Sequence, residues 1–152
     1  MNHRVVPAAL IISSLLVLSA CASASRVTPA VTIEQLSVPE DLRVYTASGF
    51  PVEFRATIDN PLEQPVTLVS IEVETVGSSG GYLMRRVRHA FSRDIQAKAT
   101  DTVDFRAWVQ PLSRDTAGDV TGPVMLRGTA RFQTPNGLLR TNFVTHRQQT
   151  SK

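Results

Sequence analysis

The sequence predicts an all-β domain, a seven-strand antiparallel sandwich of two sheets. Three observations carry that expectation. Apolar and polar residues alternate with period two in three separate segments, which puts one face of each in a core and the other in water. Asn, Pro and Gly cluster between such segments, where a chain must turn. Downstream of the N-terminal apolar run, no stretch carries the spacing of a long amphipathic helix.

The first strand is expected near 31–38. The second, over 50–58 in "FPVEFRATID", points Phe50, Val52, Phe54, Ala56 and Ile58 inward and Glu53, Arg55, Thr57 and Asp59 outward. In the third, 66–76, Val69, Ile71 and Val73 alternate with Glu72 and Glu74, so the two carboxylates read as the wet face of a strand rather than an acid/base pair. The fourth is placed at 83–95. The fifth, 100–109, sets Val103, Phe105, Ala107 and Val109 on one side. The sixth, 124–134, turns Val124, Leu126, Gly128, Ala130 and Phe132 inward and Arg127, Thr129, Arg131 and Gln133 outward. The seventh is 138–146, and the spacing of all of them suits two packed sheets. The expected core contains Phe54, Ile58, Val69, Ile71, Val103, Phe105, Leu126 and Phe132.

The connections agree with this. Pro fixes φ and Asn-Gly tolerates positive φ, so Asp59-Asn60-Pro61 should join the second strand to the third, and Pro135-Asn136-Gly137 the sixth to the seventh. "GSSGG" at 77–81 lacks the Lys-Ser/Thr and helix of a phosphate loop and is expected to be a flexible hairpin loop. The stretch 111–123 is a connection with room for one helical turn, since Leu112, Thr116 and Val120 fall on one side.

A different pattern precedes the strands. His3 and Arg4 lead a run of about 14 mostly apolar residues, short of the ~20 that a membrane-spanning helix needs and suited to a secretory signal. The run closes in "LVLSAC", which holds the only cysteine of the chain. Leu18-Ser19-Ala20-Cys21 resembles the bacterial lipobox, in which the thiolate takes a diacylglyceryl group and small neighbours admit the signal peptidase. That resemblance implies that Cys21 becomes the acylated first residue of the mature protein. Buried acyl chain contributes about 0.8 kcal/mol per CH₂, so a two- or three-chain anchor holds without protein contacts.

With Cys21 acylated, the mature domain has no thiol for a disulfide or a thiolate metal site, and packing alone must hold it. The expected organisation is a signal peptide at 1–20, a lipidated cysteine and flexible tether at 21–30, a β domain at 31–146 and a polar tail at 147–152. Ala22 follows the cysteine instead of the aspartate that retains proteobacterial lipoproteins at the inner membrane. The expected location is the cell envelope, and in a Gram-negative cell the outer membrane facing the periplasm.

Two stretches carry a family resemblance. "FRATIDNPLEQPVTLVSIEVET" resembles the type 2 late embryogenesis abundant domain, also called the water stress and hypersensitive response domain, where an apolar strand runs into an Asn-Pro turn. "VMLRGTARFQTPNGLLRTNF" resembles its closing hairpin, with a mid-strand glycine and a Pro-x-Gly turn. "GYLMRRVRHAF" departs from it by its basic character. The resemblance implies an immunoglobulin/fibronectin III-like sandwich without a catalytic site or cofactor. It also implies a structural or stress-protective role, or the alternative of carrying lipid or another apolar ligand between the sheets.

The side chains give no reaction. After processing, His89 and His146 are the remaining histidines, too few for a three-histidine metal site. Alternation points His89 away from Ser92 and Asp94, so no local triad assembles. The chain is expected to be neither an enzyme nor a metal binder. Nucleic acid is not an expected partner, since Trp108 is the single Trp among few aromatics and offers no stacking platform. The expected partner is a membrane, through the lipid anchor.

One basic segment remains. Arg85, Arg86, Arg88, His89 and Arg93 concentrate positive charge in a chain whose net charge is only +3. Guanidinium forks suit phosphate and carboxylate. Arg86 and Arg88, on one side of a strand with Arg85 on the other, are the candidates for contact with anionic lipid or an envelope polymer. The competing reading is an edge strand that charge protects from edge-to-edge pairing.

Overall fold

The computed structural model describes residues 27–37, 49–77, 81–112 and 124–146. They form eight strands: β1 (Ala30–Ser37), β2 (Phe50–Asp59), β3 (Val66–Thr75), β4 (Tyr82–Leu83), β5 (Val87–Ile95), β6 (Thr100–Pro111), β7 (Met125–Thr134) and β8 (Gly137–His146). Two antiparallel sheets result, ordered β1-β2-β6-β4 and β5-β3-β7-β8. Both contribute to one apolar core, which makes the domain a β-sandwich.

The count of eight corrects the expected seven. The strand expected at 83–95 is two strands in different sheets, because Tyr82 and Met84 are buried while Arg85 and Arg86 are both exposed. Two adjacent charged side chains cannot continue an alternation with a buried face, so the chain leaves β6 and re-enters beside β3. Met84 fixes the crossing: its carbonyl accepts from the Thr75 amide at 3.1 Å, and its amide donates to the Thr75 hydroxyl at 3.1 Å. Tyr82 packs edge-on against Phe50 and donates its hydroxyl to Gln35 Oε1 at 2.8 Å.

The inward sets of β2, β6 and β7 are those the alternation predicts, with Val103 partly buried against the core. Val69 is the exception. The register breaks between Leu68 and Ser70, a bulge that shifts the phase, so Val66 and Leu68 face inward before it and Ile71 and Val73 after it. Leu68 takes the core position expected of Val69.

Asn60 explains the geometry of the Asn-Pro turn. It is fully buried, its Nδ2 donates to the carbonyls of Gln64 at 3.0 Å and Gln96 at 2.9 Å, and its Oδ1 accepts from the Leu62 amide at 3.2 Å. Its own amide donates to the Ala99 carbonyl at 2.9 Å. One amide thereby ties the arch that crosses from β2 to β3, between the sheets, to the turn joining β5 and β6. The β7–β8 hairpin closes on Pro135 and Asn136, with Gly137 at φ +120° and the Thr134 hydroxyl donating to the Gly137 carbonyl at 2.9 Å.

The two sheets are also linked at their margins. On one side the Thr145 hydroxyl of β8 donates to the Ile33 carbonyl of β1 at 3.2 Å. On the other, Arg93 of β5 pairs with Asp101 of β6 at 2.7 Å. β1 begins at Ala30, the last residue expected in the tether. The expected signal peptide, Cys21, most of the expected tether, the loop at 78–80, the connection at 113–123 and the expected tail lie outside the described residues.

Candidate functional site

Register sets the outer face of the β5-β3-β7-β8 sheet row by row. Glu74 of β3 is opposite Arg127 of β7, which is opposite Val144 of β8. Glu72 lies between Arg88 of β5 and Thr129, and Thr129 is opposite Asn142. Ser70 lies between Ala90 and Arg131, and Arg131 is opposite Arg140. A depression of about 390 Å³ opens over these rows, lined among others by Glu72, Glu74, Arg86, Arg127, Arg140 and Asn142.

The first row is closed electrostatically. Glu74 accepts from Arg86 Nη2 at 3.0 Å and from Arg127 Nε at 2.8 Å. The hydrogen bond from Arg86, then that from Arg127, holds the Glu74 carboxyl below its ordinary range, and Glu74 holds the Arg86 guanidinium above its own. Arg86, one of the two candidates, is therefore engaged by the protein itself.

Arg88, the other candidate, is exposed on the same face opposite Glu72, with no ion pair among the described residues. Arg86 precedes β5, so strand alternation does not relate it to Arg85; the Glu74 pairing puts it beside Arg88 on the outer face. β5 is the edge of its sheet among the described strands, so the edge-protection reading also has its geometry.

His89 points the other way, into the sandwich margin. Its ring sits 4.7 Å from that of Phe105, its Nε2 is buried without a hydrogen-bond partner, and desolvation lowers its pKa. Asp94 instead accepts from the Thr67 hydroxyl at 2.6 Å on the outer face, so the two do not meet. No cluster of His, Cys, Asp and Glu suited to a metal occurs among the described residues.

The outer face of the other sheet contrasts with this one. Arg55 binds Asp104 through two bonds of 2.7 and 2.8 Å, and Arg106 binds Glu53 at 2.5 Å. The sequence reading set Arg131 outward but named neither it nor Arg140 as a site residue. The turn could have revealed them: with Thr134 opposite Gly137, antiparallel counting back along both strands sets Arg131 against Arg140.

No family model and no curated protein matches this sequence. Solved structures do resemble it. A protein from Arabidopsis thaliana is 15% identical with a TM-score of 0.53, the match covering 75% of this chain and 74% of that one. A protein described as a candidate late embryogenesis abundant (LEA) protein is 14% identical with a TM-score of 0.51, covering 78% of this chain and 68% of that one. A protein from Archaeoglobus fulgidus is 11% identical with a TM-score of 0.48, covering 81% and 96%. At these identities the first two likenesses concern the fold, a two-sheet β domain that this chain shares with a LEA-like structure.

Proposed function

We propose that this chain is a non-catalytic envelope lipoprotein, anchored through an acylated Cys21 and carrying an immunoglobulin/fibronectin III-like sandwich with a structural or stress-protective role. The observation that carries the anchoring is Leu18-Ser19-Ala20-Cys21 at the end of a short apolar run. The protective role draws support from the LEA-like fold and from a core whose side chains are packed on one another. Val52, Phe54, Ala56, Ile58, Leu68, Ile71, Ala130 and Phe132 are all fully buried between the sheets. A carrier of apolar ligands needs an open apolar groove there, and this packing favours the protective reading over it.

A second reading adds contact with an anionic surface. The exposed Arg88, with Arg86 beside it, favours it. The two readings are compatible, because a lipid anchor holds the domain beside headgroups.

The test is complementation of cells lacking the gene with wild type or Cys21→Ser. Wild type should sediment with membranes and restore survival after osmotic or drying stress. Exported behind an ordinary cleavable signal in place of residues 1–20, Cys21→Ser should be stripped from membranes by alkaline carbonate, which the wild type should resist. Resistance of that Cys21→Ser chain to carbonate would overturn the anchor, and equal survival of the deletion strain would overturn the protective role.

A further inference from the structure

Arg131 and Arg140 occupy directly opposed positions on the outward face of the β7–β8 hairpin. Like charges at such positions destabilise a sheet, and the fold compensates them only in part. The rest of their row is Ser70 and Ala90, which bring no acid. Arg131 makes a long ion pair with Glu72, at 3.8 Å and beyond hydrogen-bond reach, and Arg140 has no ion pair among the described residues. On the opposite outer face, by contrast, Arg55 and Arg106 each close on an acid within hydrogen-bond distance.

The surroundings supply what an anion needs. Thr129 donates its hydroxyl to Asn142 Oδ1 at 2.9 Å, which leaves the amide nitrogen of the exposed Asn142 as a further donor. β8 is also the edge of its sheet among the described strands, and its outward residues read Leu138, Arg140, Asn142, Val144. Leu138 and Val144 are about 60% exposed, so two apolar side chains flank the arginine on one edge. Guanidinium forks match phosphate oxygens. Exposed apolar side chains on either side suit a surface with phosphate at its face and acyl chain beneath, and gain nothing from a soluble polyanion.

We propose that Arg131 and Arg140 form a phosphate clamp by which the β8 edge docks on an anionic phospholipid surface. This goes beyond the anchoring reading and does not depend on it. It also differs from the Arg86–Arg88 contact, since Arg86 is bound to Glu74.

The probe is vesicle sedimentation with the mature chain, residues 21–152, carrying Cys21→Ser. Every buried apolar core side chain lies between Val31 and Phe143, so this chain keeps the whole core. Vesicles of phosphatidylglycerol in phosphatidylcholine should bind it at low salt, and pure phosphatidylcholine should not. At about 1 kcal/mol for each basic residue near an anionic surface, Arg131→Gln with Arg140→Gln should weaken binding about 30-fold. Arg55→Gln with Arg106→Gln changes the net charge equally on the other face and should leave binding within about twofold. Leu138→Ser with Val144→Ser should remove the part of the binding that survives added salt. Circular dichroism melts establish that each variant is folded. Equal binding by the Arg131/Arg140 variant, or an equal loss in the Arg55/Arg106 variant, would overturn the clamp. Binding abolished by millimolar glycerol phosphate, with no preference for vesicles, would replace the membrane with a soluble phosphate ligand. Because the probe has no lipid, failure of the Cys21 anchor leaves these outcomes unchanged.

Discussion

Asn60 donates its side-chain amide to the Gln96 carbonyl at 2.9 Å, joining two turns 36 residues apart in the chain. The same side chain holds Gln64 and Leu62, so a fully buried polar group has its hydrogen bonds met by backbone on both sides. Asn60→Ala should cost about 2–4 kcal/mol, since it strands buried carbonyls and an amide. Asn60→Asp should cost more near neutral pH, because a carboxylate would face carbonyl oxygens. Urea titration measures both, and an Asn60→Ala midpoint equal to wild type would show that the turns are held by something else.

Gly128 makes a second prediction. A Cβ built there would fall well inside contact distance of the Glu72 carbonyl oxygen and of the Phe143 ring, which lies across the glycine from β8. Phe143 is itself buried, so its ring fills the space that a side chain on Gly128 would take. Gly128→Ala should destabilise by about 1–3 kcal/mol or more through overpacking. Adding Phe143→Leu should recover part of the loss, since the clash with backbone remains. An unchanged melting temperature for Gly128→Ala would contradict the packing described.

Stability should fall as the solution becomes acidic, in two stages. Burial lowers the His89 pKa from its ordinary 6.5, so below that pH the unfolded chain binds a proton that the folded chain refuses. Stability is therefore lost as pH falls from 6.5 through the folded His89 value. Glu74, Asp101 and Asp104 are held low mainly by hydrogen bonds from Arg86, Arg93 and Arg55, and their contribution disappears at more acid pH, as they protonate. His89→Phe should flatten the first stage and leave the second. Melting temperatures from about pH 7 to about pH 3 separate the stages, and an unaltered first stage in His89→Phe would assign it to another group.

Much of the fold was legible because β2, β6 and β7 alternate without interruption, so each inward set could be read directly from period two. Val69 was misplaced because a bulge changes phase within an apolar run, where Leu68 and Val69 are equally plausible inward residues. The break between β4 and β5 was hidden because Leu83 to Ile95 contains apolar residues on both sides of the arginines, and only tertiary packing shows that Met84 ends one sheet's contribution. Arg86 and Arg88 were visible as neighbours in sequence, whereas Arg131 and Arg140 become neighbours only through hairpin register. Nothing in the sequence marks the Arg93–Asp101 pair, which joins edge strand to opposite sheet.

The proposed anchoring of this domain rests on the fate of one thiol. Intact mass and N-terminal peptide spectra of the protein isolated from membranes should show a mature chain beginning at Cys21 and carrying a diacylglyceryl group. A chain that keeps an unmodified Cys21, or one cleaved at another bond, would contradict the account.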